Sequence, residues 1–468
     1  LKSEVNDERS NSFYYNGKTY ILTGAEYLAY NGTTLSAVEG FVPTTQINML
    51  PTTGAGTVYE DINCLTPKRT NSFKVPEGGA TVFQLDAKEL DSTPVTALVS
   101  GVSKVETTDF TVDRTNGKVT FKNSIPSSEG VDSVQITFSK TIAGLSDRIK
   151  KCAIYAWYGA GSDSRLFLAG NPDYPNMDFK SGLYDPTYFP NDGWTRIGSD
   201  VSAIMGYIKQ YDNLVIVKED SDQDSTFFIR SAEVSNDGVA IFPMRQGITG
   251  VGAVSKYAFD YLRDDPLFLT SAGVSAVTLV SGGISQQRTV QNRSEYINAR
   301  LTKENLTEAV SCVWNGFYLL AVGDTVYLAD SRQKVGSQKY ETYGYEWYHW
   351  ENISSRCWLA HDGDLYFGSA DGKLRKMNTD IAGVFKYNDD GMPVVASWAT
   401  KADDDGDFMT RKTLPKRGTG AMIKPYTRSS VKVYAIASTG DDDITTMITA
   451  RSMDIFDFNN IDFTRFAF

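Results

Sequence analysis

The chain has 468 residues, with 46 Lys and Arg against 57 Asp and Glu, giving a formal net charge of -11. Hydrophobic residues at 41% and charged ones at 22% are globular proportions, which exclude general disorder, and the length suggests about three domains. The profile of 26 Tyr, 24 Phe and 39 Gly against 2 His favours strands joined by tight turns, argues against His-rich metal sites and leans away from an enzyme.

Taken in chain order, NGKTYILTGAEYLAYNG from Asn16 reads as two aromatic-rich strands around a Gly turn, closed by Asn31-Gly32. One phrase then recurs: a turn residue, a short apolar strand, and Gly or Asp. It stands as KTYILTG near Thr19, RLFLAG at Leu166, NLVIVKED at Leu214, PLFLTSAG at Leu267, GFYLLAVGD at Phe317 and DLYFGSADG at Leu365. The last five copies are 48, 53, 50 and 48 residues apart. A four-stranded propeller blade takes about 40–50 residues, so this period predicts an all-β fold, a β-propeller of about five to seven blades with six favoured. Neither a WD signature nor a kelch double-Gly pattern accompanies the repeat.

Behind the first copy lies an excess of one small domain. Asp109 to Phe121 reads as a hairpin around Asn116-Gly117, and VDSVQITFS alternates as a final half-buried strand. The resulting map has a first blade region at 1–71, an inserted β-sandwich at 72–142, the remaining blades at 143–400 and a C-terminal β region at 401–468. Helical periodicity is confined to Glu295 to Ala309, with a turn expected at Val201 to Tyr207. The long uncharged stretch from Pro266 to Gln287 carries Thr, Ser, Gly and Gln throughout and reads as strands, not as a membrane span.

Chemistry-bearing patterns are sparse. Cys64, Cys152, Cys312 and Cys357 lack C-x-x-C spacing and read as buried free thiols. His349 and His361 sit in aromatic strand contexts and read as packed or rim residues. No nucleophile elbow, zinc helix or phosphate loop occurs, so neither catalytic residue, metal nor cofactor is expected. Asp220, Asp222 and Asp224 have the 1, 3, 5 spacing of a calcium loop, but Ser225 and Ser231 replace its glycine and bidentate Glu, and the flanks read as strands. These residues, like the acidic clusters at Asp403–Asp405 and Asp441–Asp443, read as solvated acidic tips.

RLFLAGNPDYPNMDFKSGLYDPTYFPNDGWTRIGSD, followed by IMGYIKQYDNLVIVKEDS, resembles structural proteins of tailed bacteriophages, of the podophage tail-nozzle or packaged-DNA-stabilisation type. The inserted segment is similar to small β-sandwich modules of phage tail proteins, and the closing FDFNNIDFTRFAF looks like phage-protein C-terminal segments. Five Phe in those thirteen residues are expected to be covered, by further chain or by a partner. The resemblance implies a non-enzymatic virion protein, a propeller subunit in a ring of its own copies around the DNA exit channel, with a hexamer as one candidate. Portal, adaptor and other tail proteins would be its partners. It would reside in the virion tail, and in the host cytoplasm during assembly. Net negative charge disfavours tight nonspecific DNA binding, and an acidic channel lining would let DNA pass. Two alternatives stand beside this reading. One is a host-surface propeller that binds or cleaves carbohydrate, motivated by Trp347, Tyr348 and Trp350. The other is a different virion part, such as a baseplate protein.

The last region changes sign. From Met409 to Gly440 no acidic residue occurs, while Arg411, Lys412, Lys416, Arg417, Lys424, Arg428 and Lys432 supply seven positive charges. In a ring, such a stretch is a candidate subunit interface against the acidic surface of a neighbour.

Overall fold

The computed structural model describes residues 9–127, 131–160, 163–235, 240–282, 285–336, 343–378, 388–389, 392–400, 406, 429–439 and 442–453. The chain divides into two compact units, Leu1–Met377 and Asn378–Phe468. The fold is all-β, made of many small antiparallel sheets. Among the described residues the helices are short pieces, Asp147–Lys150, Asn298–Leu301 and the 3-10 turn Glu295–Ile297. The helix expected over Glu295 to Ala309 thus shrinks to its first turns. Val201 to Tyr207 is not a turn either: Ile204 to Gln210 pairs with Asn213 to Lys218 as a strand.

Six sheets follow one another in the first unit, each with its strands in sequential order. Sheet I is Asn11–Tyr15, Lys18–Leu22, Tyr27–Tyr30 and Leu35–Ala37. Sheet II is Ile154–Ala160, Asp163–Ala169, Met177–Lys180 and Trp194–Arg196. Sheet III is Ile204–Gln210, Asn213–Lys218, Phe227–Ser231 and Met244–Gln246. Sheet IV is Phe259–Leu262, Asp265–Thr270, Gly273–Gly282 and Ser285–Asn292, so the uncharged stretch from Pro266 is indeed stranded. Sheet V is Val310–Trp314, Phe317–Val322, Thr325–Val335 and Gly344–Glu351. Sheet VI is Ser355–His361, Asp364–Ser369 and Leu374–Lys376. Every copy of the recurring phrase is the second strand of its sheet. In sheets II to V those strands are largely buried on both faces, as at Leu166 to Ala169 and Leu214 to Val217, whereas in sheets I and VI burial alternates along Lys18 to Leu22 and Asp364 to Ser369.

The apolar cores lie between successive sheets. Phe13, Tyr20 and Leu22 of sheet I pack with Leu166, Leu168 and Phe179 of sheet II. Ile154 and Ala169 meet Ile204, Ile216 and Phe228 of sheet III. Val215, Val217 and Phe227 join Phe268 and Val277 of sheet IV. Leu267, Leu269 and Val274 pack with Tyr318, Leu320 and Tyr327 of sheet V, whose Leu319 and Leu328 reach Leu365 of sheet VI. Polar ties run along the same succession. The Tyr155 hydroxyl donates to the Ser12 carbonyl at 2.9 Å, and the Tyr158 hydroxyl to the Arg230 carbonyl at 3.0 Å. The Gln210 amide donates to the Val277 carbonyl at 2.8 Å, and the Trp314 indole to the Gly363 carbonyl at 2.8 Å.

Between sheets I and II stands a two-sheet module with its own core. Its larger sheet runs Val102–Val105, Thr96–Val99, Val134–Ser139, Lys68–Phe73, Thr44–Met49, Thr57–Val58, and its smaller one Phe110–Asp113, Lys118–Ile125, Ala80–Gln84. Phe73, Phe83, Phe110, Phe121 and Phe138 fill the space between them. The module begins at Thr44, where the sequence placed it at residue 72. Its first strands, TTQINM and KRTNSF, carry too many polar residues to announce themselves, yet Met49 and Phe73 are fully buried in the shared core. The hairpin around Asn116-Gly117 forms as expected, with Gly117 at φ 66. The second unit contains the hairpin of Ser429–Thr439 and Asp442–Met453.

Candidate functional site

The first strands of all six sheets line one cavity of about 510 Å³, with Asn11, Trp157, Tyr207, Tyr261, Ser311 and Trp358 each coming from a different sheet. Lys209, Arg356 and Cys357 are exposed there, so the cavity opens to solvent. Tight turns bring these strands in. Asn16-Gly17, Asn315-Gly316 and Asp362-Gly363 all have positive φ and join the first strand to the second in sheets I, V and VI. Residue pairs of this kind suit two-residue hairpin loops whose twist matches the strands.

The lining is basic although the chain as a whole is acidic. Among the described residues, Arg9, Lys209, Lys256 and Arg356 face the cavity with one carboxylate, Asp260. Arg9 is half-buried. Its guanidinium lies 3.3 Å from Glu308 and 5.5 Å from the Tyr257 ring, while its carbonyl accepts the Tyr257 hydroxyl at 3.2 Å. Burial lowers the pKa of Arg9, Glu308 opposes that shift, and the Arg356 charge adds to it. Partial desolvation by the neighbouring strands pulls the ammonium of Lys209 down although the residue as a whole is exposed. The ammonium of Lys256 meets the Gly170 carbonyl at 3.5 Å. Tyr261 clasps the Lys209 backbone, donating to its carbonyl at 3.0 Å and accepting its N–H at 2.5 Å.

Burial pushes the Asp260 carboxyl up to about 6, against the hydroxyl of Ser311, which donates to it and favours the charged form. Cys312 follows Ser311 and its thiol is pushed up to about 12 by burial, as is that of Cys64. Cys152 is fully buried and its thiol is likewise raised. Cys357 is exposed, unlike the buried thiol expected from sequence.

Neither histidine lies at the cavity. His349 faces Arg300 at 3.0 Å and Glu351 at 3.4 Å on the outer strand of sheet V, and His361 is exposed beside Asp362 at 3.3 Å. The calcium-like aspartates have separate partners. Asp220 accepts from Gly252 N–H at 3.1 Å and the Ser271 hydroxyl at 2.6 Å. Asp224 pairs with Lys218 and accepts the Ser202 hydroxyl at 2.9 Å, and its carboxyl is held down at about 2. Among the described residues no group of three or more His, Cys, Asp or Glu is placed to hold a metal. Trp347 and Trp350 do not form a platform with Tyr348: they pack into different cores, and Trp347 donates to the Arg293 carbonyl at 2.9 Å while Tyr348 is exposed. Arg411, Lys412, Lys416, Arg417, Lys424 and Arg428 lie outside the described residues, as do Asp403–Asp405 and FDFNNIDFTRFAF. Lys432 is exposed on the strand Ser429–Thr439, opposite Ala450.

Among the described residues no helix is long and apolar enough to cross a membrane. Neither a known protein family nor a curated protein matches this sequence. Distant structural similarity extends to an exported β-protein of Bacteroides fragilis NCTC 9343, at 8% identity and TM-score 0.26, covering 70% of this chain and 88% of that one. It also extends to the phage phi92 endosialidase, at 11% identity and TM-score 0.21, covering 95% of this chain and 86% of that one. Scores this low carry no statement about activity.

Proposed function

We propose that the six small sheets are the blades of a β-propeller, and that the protein is a non-enzymatic structural subunit of a phage tail. Copies of it would form a ring around the DNA exit channel, retain packaged DNA and guide its ejection, in contact with portal, adaptor and other tail proteins. The observation that carries the reading is architectural. Six sheets in sequence share cores with their successors, their first strands meet at one cavity, and a sandwich with its own core is inserted in the chain between the first two. Radial repetition of this kind leaves few unprotected sheet edges, and the sandwich offers a contact module on a rigid scaffold. The phage assignment itself rests on the resemblance of residues 165–221.

DNA would not thread the propeller. A cavity of about 510 Å³ is far too small for a duplex whose major groove alone is about 12 Å wide. The channel would therefore be the hole enclosed by several copies. Trp347 and Trp350 are partly buried against two different cores, which favours the structural reading over the carbohydrate one. Electron microscopy of the purified protein and of virions tests the proposal. A ring coaxial with the portal is the expected result. A persistent monomer, or density confined to peripheral spikes, would overturn it.

A further inference from the structure

We propose that Asp260 is a proton-operated latch on the seam between sheets IV and V: with its carboxyl protonated the seam stays closed, and with the carboxylate ionised the two first strands part locally. The device goes beyond the tail reading and does not depend on it. Polar ties across this seam are few. Tyr257 and Val310 form a parallel bridge, the Ser311 N–H donates to the Tyr257 carbonyl at 2.9 Å, and the Ser255 hydroxyl donates to the Ala309 carbonyl at 2.7 Å. Asp260, on the first strand of sheet IV, accepts the hydroxyl of Ser311, on the first strand of sheet V, directly across it.

The argument rests on a scarcity of donors. An ionised carboxylate has room for about four hydrogen-bond donors, and Asp260 receives one, the Ser311 hydroxyl. The Tyr318 hydroxyl, fully buried beside Ser311, makes no well-formed hydrogen bond and supplies no second donor. The titratable and charged groups around the carboxyl are Cys312 and Tyr318 of sheet V, Tyr257 and Tyr261 on its own side of the seam, and Arg9, Lys209, Lys256 and Arg356 at the cavity. None of these cations offsets the carboxylate: burial raises its pKa to about 6, and the Ser311 hydroxyl is what opposes the rise. Parting the strands admits water to the carboxylate and returns it to its ordinary value. The closed seam therefore binds the proton more tightly than the open one. Its hold is full below about pH 4 and is lost as pH rises through about 6.

Amide hydrogen exchange of the full chain between about pH 4 and pH 7, corrected for the intrinsic pH dependence of exchange, tests the latch through peptides covering Phe259–Leu262 and Val310–Trp314. Over that range opening of the seam should become about tenfold to a hundredfold more frequent, as a rise from the ordinary 3.8 to about 6 dictates. Peptides over Met177–Lys180, at the seam between sheets II and III, should keep their protection. Asp260→Asn carries no charge at any pH, so it should retain near pH 7 the seam protection that wild type shows near pH 4. Ser311→Ala removes the donor that favours the ionised form, so it should move the midpoint of the change to higher pH, a readout that lost packing alone does not give. Seam protection that ignores pH in wild type would overturn the proposal, as would pH dependence that survives in Asp260→Asn or a loss of protection in all sheets together. Should Asp260→Asn misfold, Ser311→Ala makes the decision, since an unchanged or lowered midpoint would equally overturn the latch.

Discussion

The tie between sheets II and III offers the sharpest perturbation. Arg230 on the third strand of sheet III and Asp178 on the third strand of sheet II are both 0% exposed, and the guanidinium grips the carboxylate through both oxygens, one bond measuring 3.0 Å. The guanidinium also lies 4.5 Å from the centre of the Phe167 ring. Arg230→Met keeps the volume roughly constant but strands a buried carboxylate, whose remaining donor is the Tyr207 hydroxyl at 3.3 Å. Removing one partner of a buried pair costs about 3–5 kcal/mol, a large share of the roughly 5–15 kcal/mol that holds a typical domain. Urea unfolding followed by tryptophan fluorescence should show a markedly lower midpoint. Amide exchange should accelerate first in Met177–Lys180 and Phe227–Ser231. Adding Asp178→Leu should recover much of the loss, because two apolar side chains leave no unpaired charge. A single-variant loss below about 1 kcal/mol, or strict additivity in the double variant, would refute the claim that this pair joins the sheets.

Other outcomes follow from the same reasoning. Asp260 holds its proton more tightly folded than unfolded, so its contribution to stability falls as pH rises from about 4 to about 6; Asp260→Asn should match wild type near pH 4 and exceed it above about pH 7, by up to about 3 kcal/mol, in thermal melts across that range. Gly117→Ala must hold φ 66 with its Cβ against the Ala87 carbonyl, so it should cost at least about 2 kcal/mol in the sandwich's own unfolding transition. Replacing residues 44–58 and 68–139 by Gly/Ser bridges, which keeps Asn63 and Cys64 seated against sheets I and II, should leave the six-sheet body soluble and weaken assembly, as read by sedimentation; wholesale aggregation would show that the sandwich is part of that body. Reversing Lys412, Lys416 and Arg417 to Glu should leave the monomer folded but loosen the ring, and added salt should loosen the wild-type ring too; assembly equal to wild type would remove the basic stretch from the interface.

What the sequence disclosed and what it hid have one physical origin. The second strands of sheets II to V are covered on both faces along most of their length, so they appear as apolar runs, and their spacing exposes the repeat; those of sheets I and VI are buried at alternate positions and join the series by their aromatic residues and spacing. Asp265 to Thr270 is buried at every position, and only its two end residues are polar. The first strands face a core on one side and the cavity on the other. IYAWYGA, FDYL and SRCWLAH therefore mix aromatic, charged and small residues without a run or a clean alternation. Their signal is positional: in sheets I, III, IV, V and VI the first strand ends at a two-residue turn just before a recurring phrase, as Asn315-Gly316 precedes Phe317. Counting back from those turns would have found the cavity. A search for charge runs could not. It directs attention to Arg411 through Lys432, whereas Arg9, Lys209, Lys256 and Arg356 lie far apart in the chain and are gathered only by folding. The sandwich boundary failed for a related reason, since Thr44–Met49 and Lys68–Phe73 are held by pairing to each other and to Val134–Ser139, not by their own pattern. Runs report burial on two sides. A site built from one to four residues per sheet leaves no charge run, and its charge can oppose that of the whole chain because each sheet contributes so little of it.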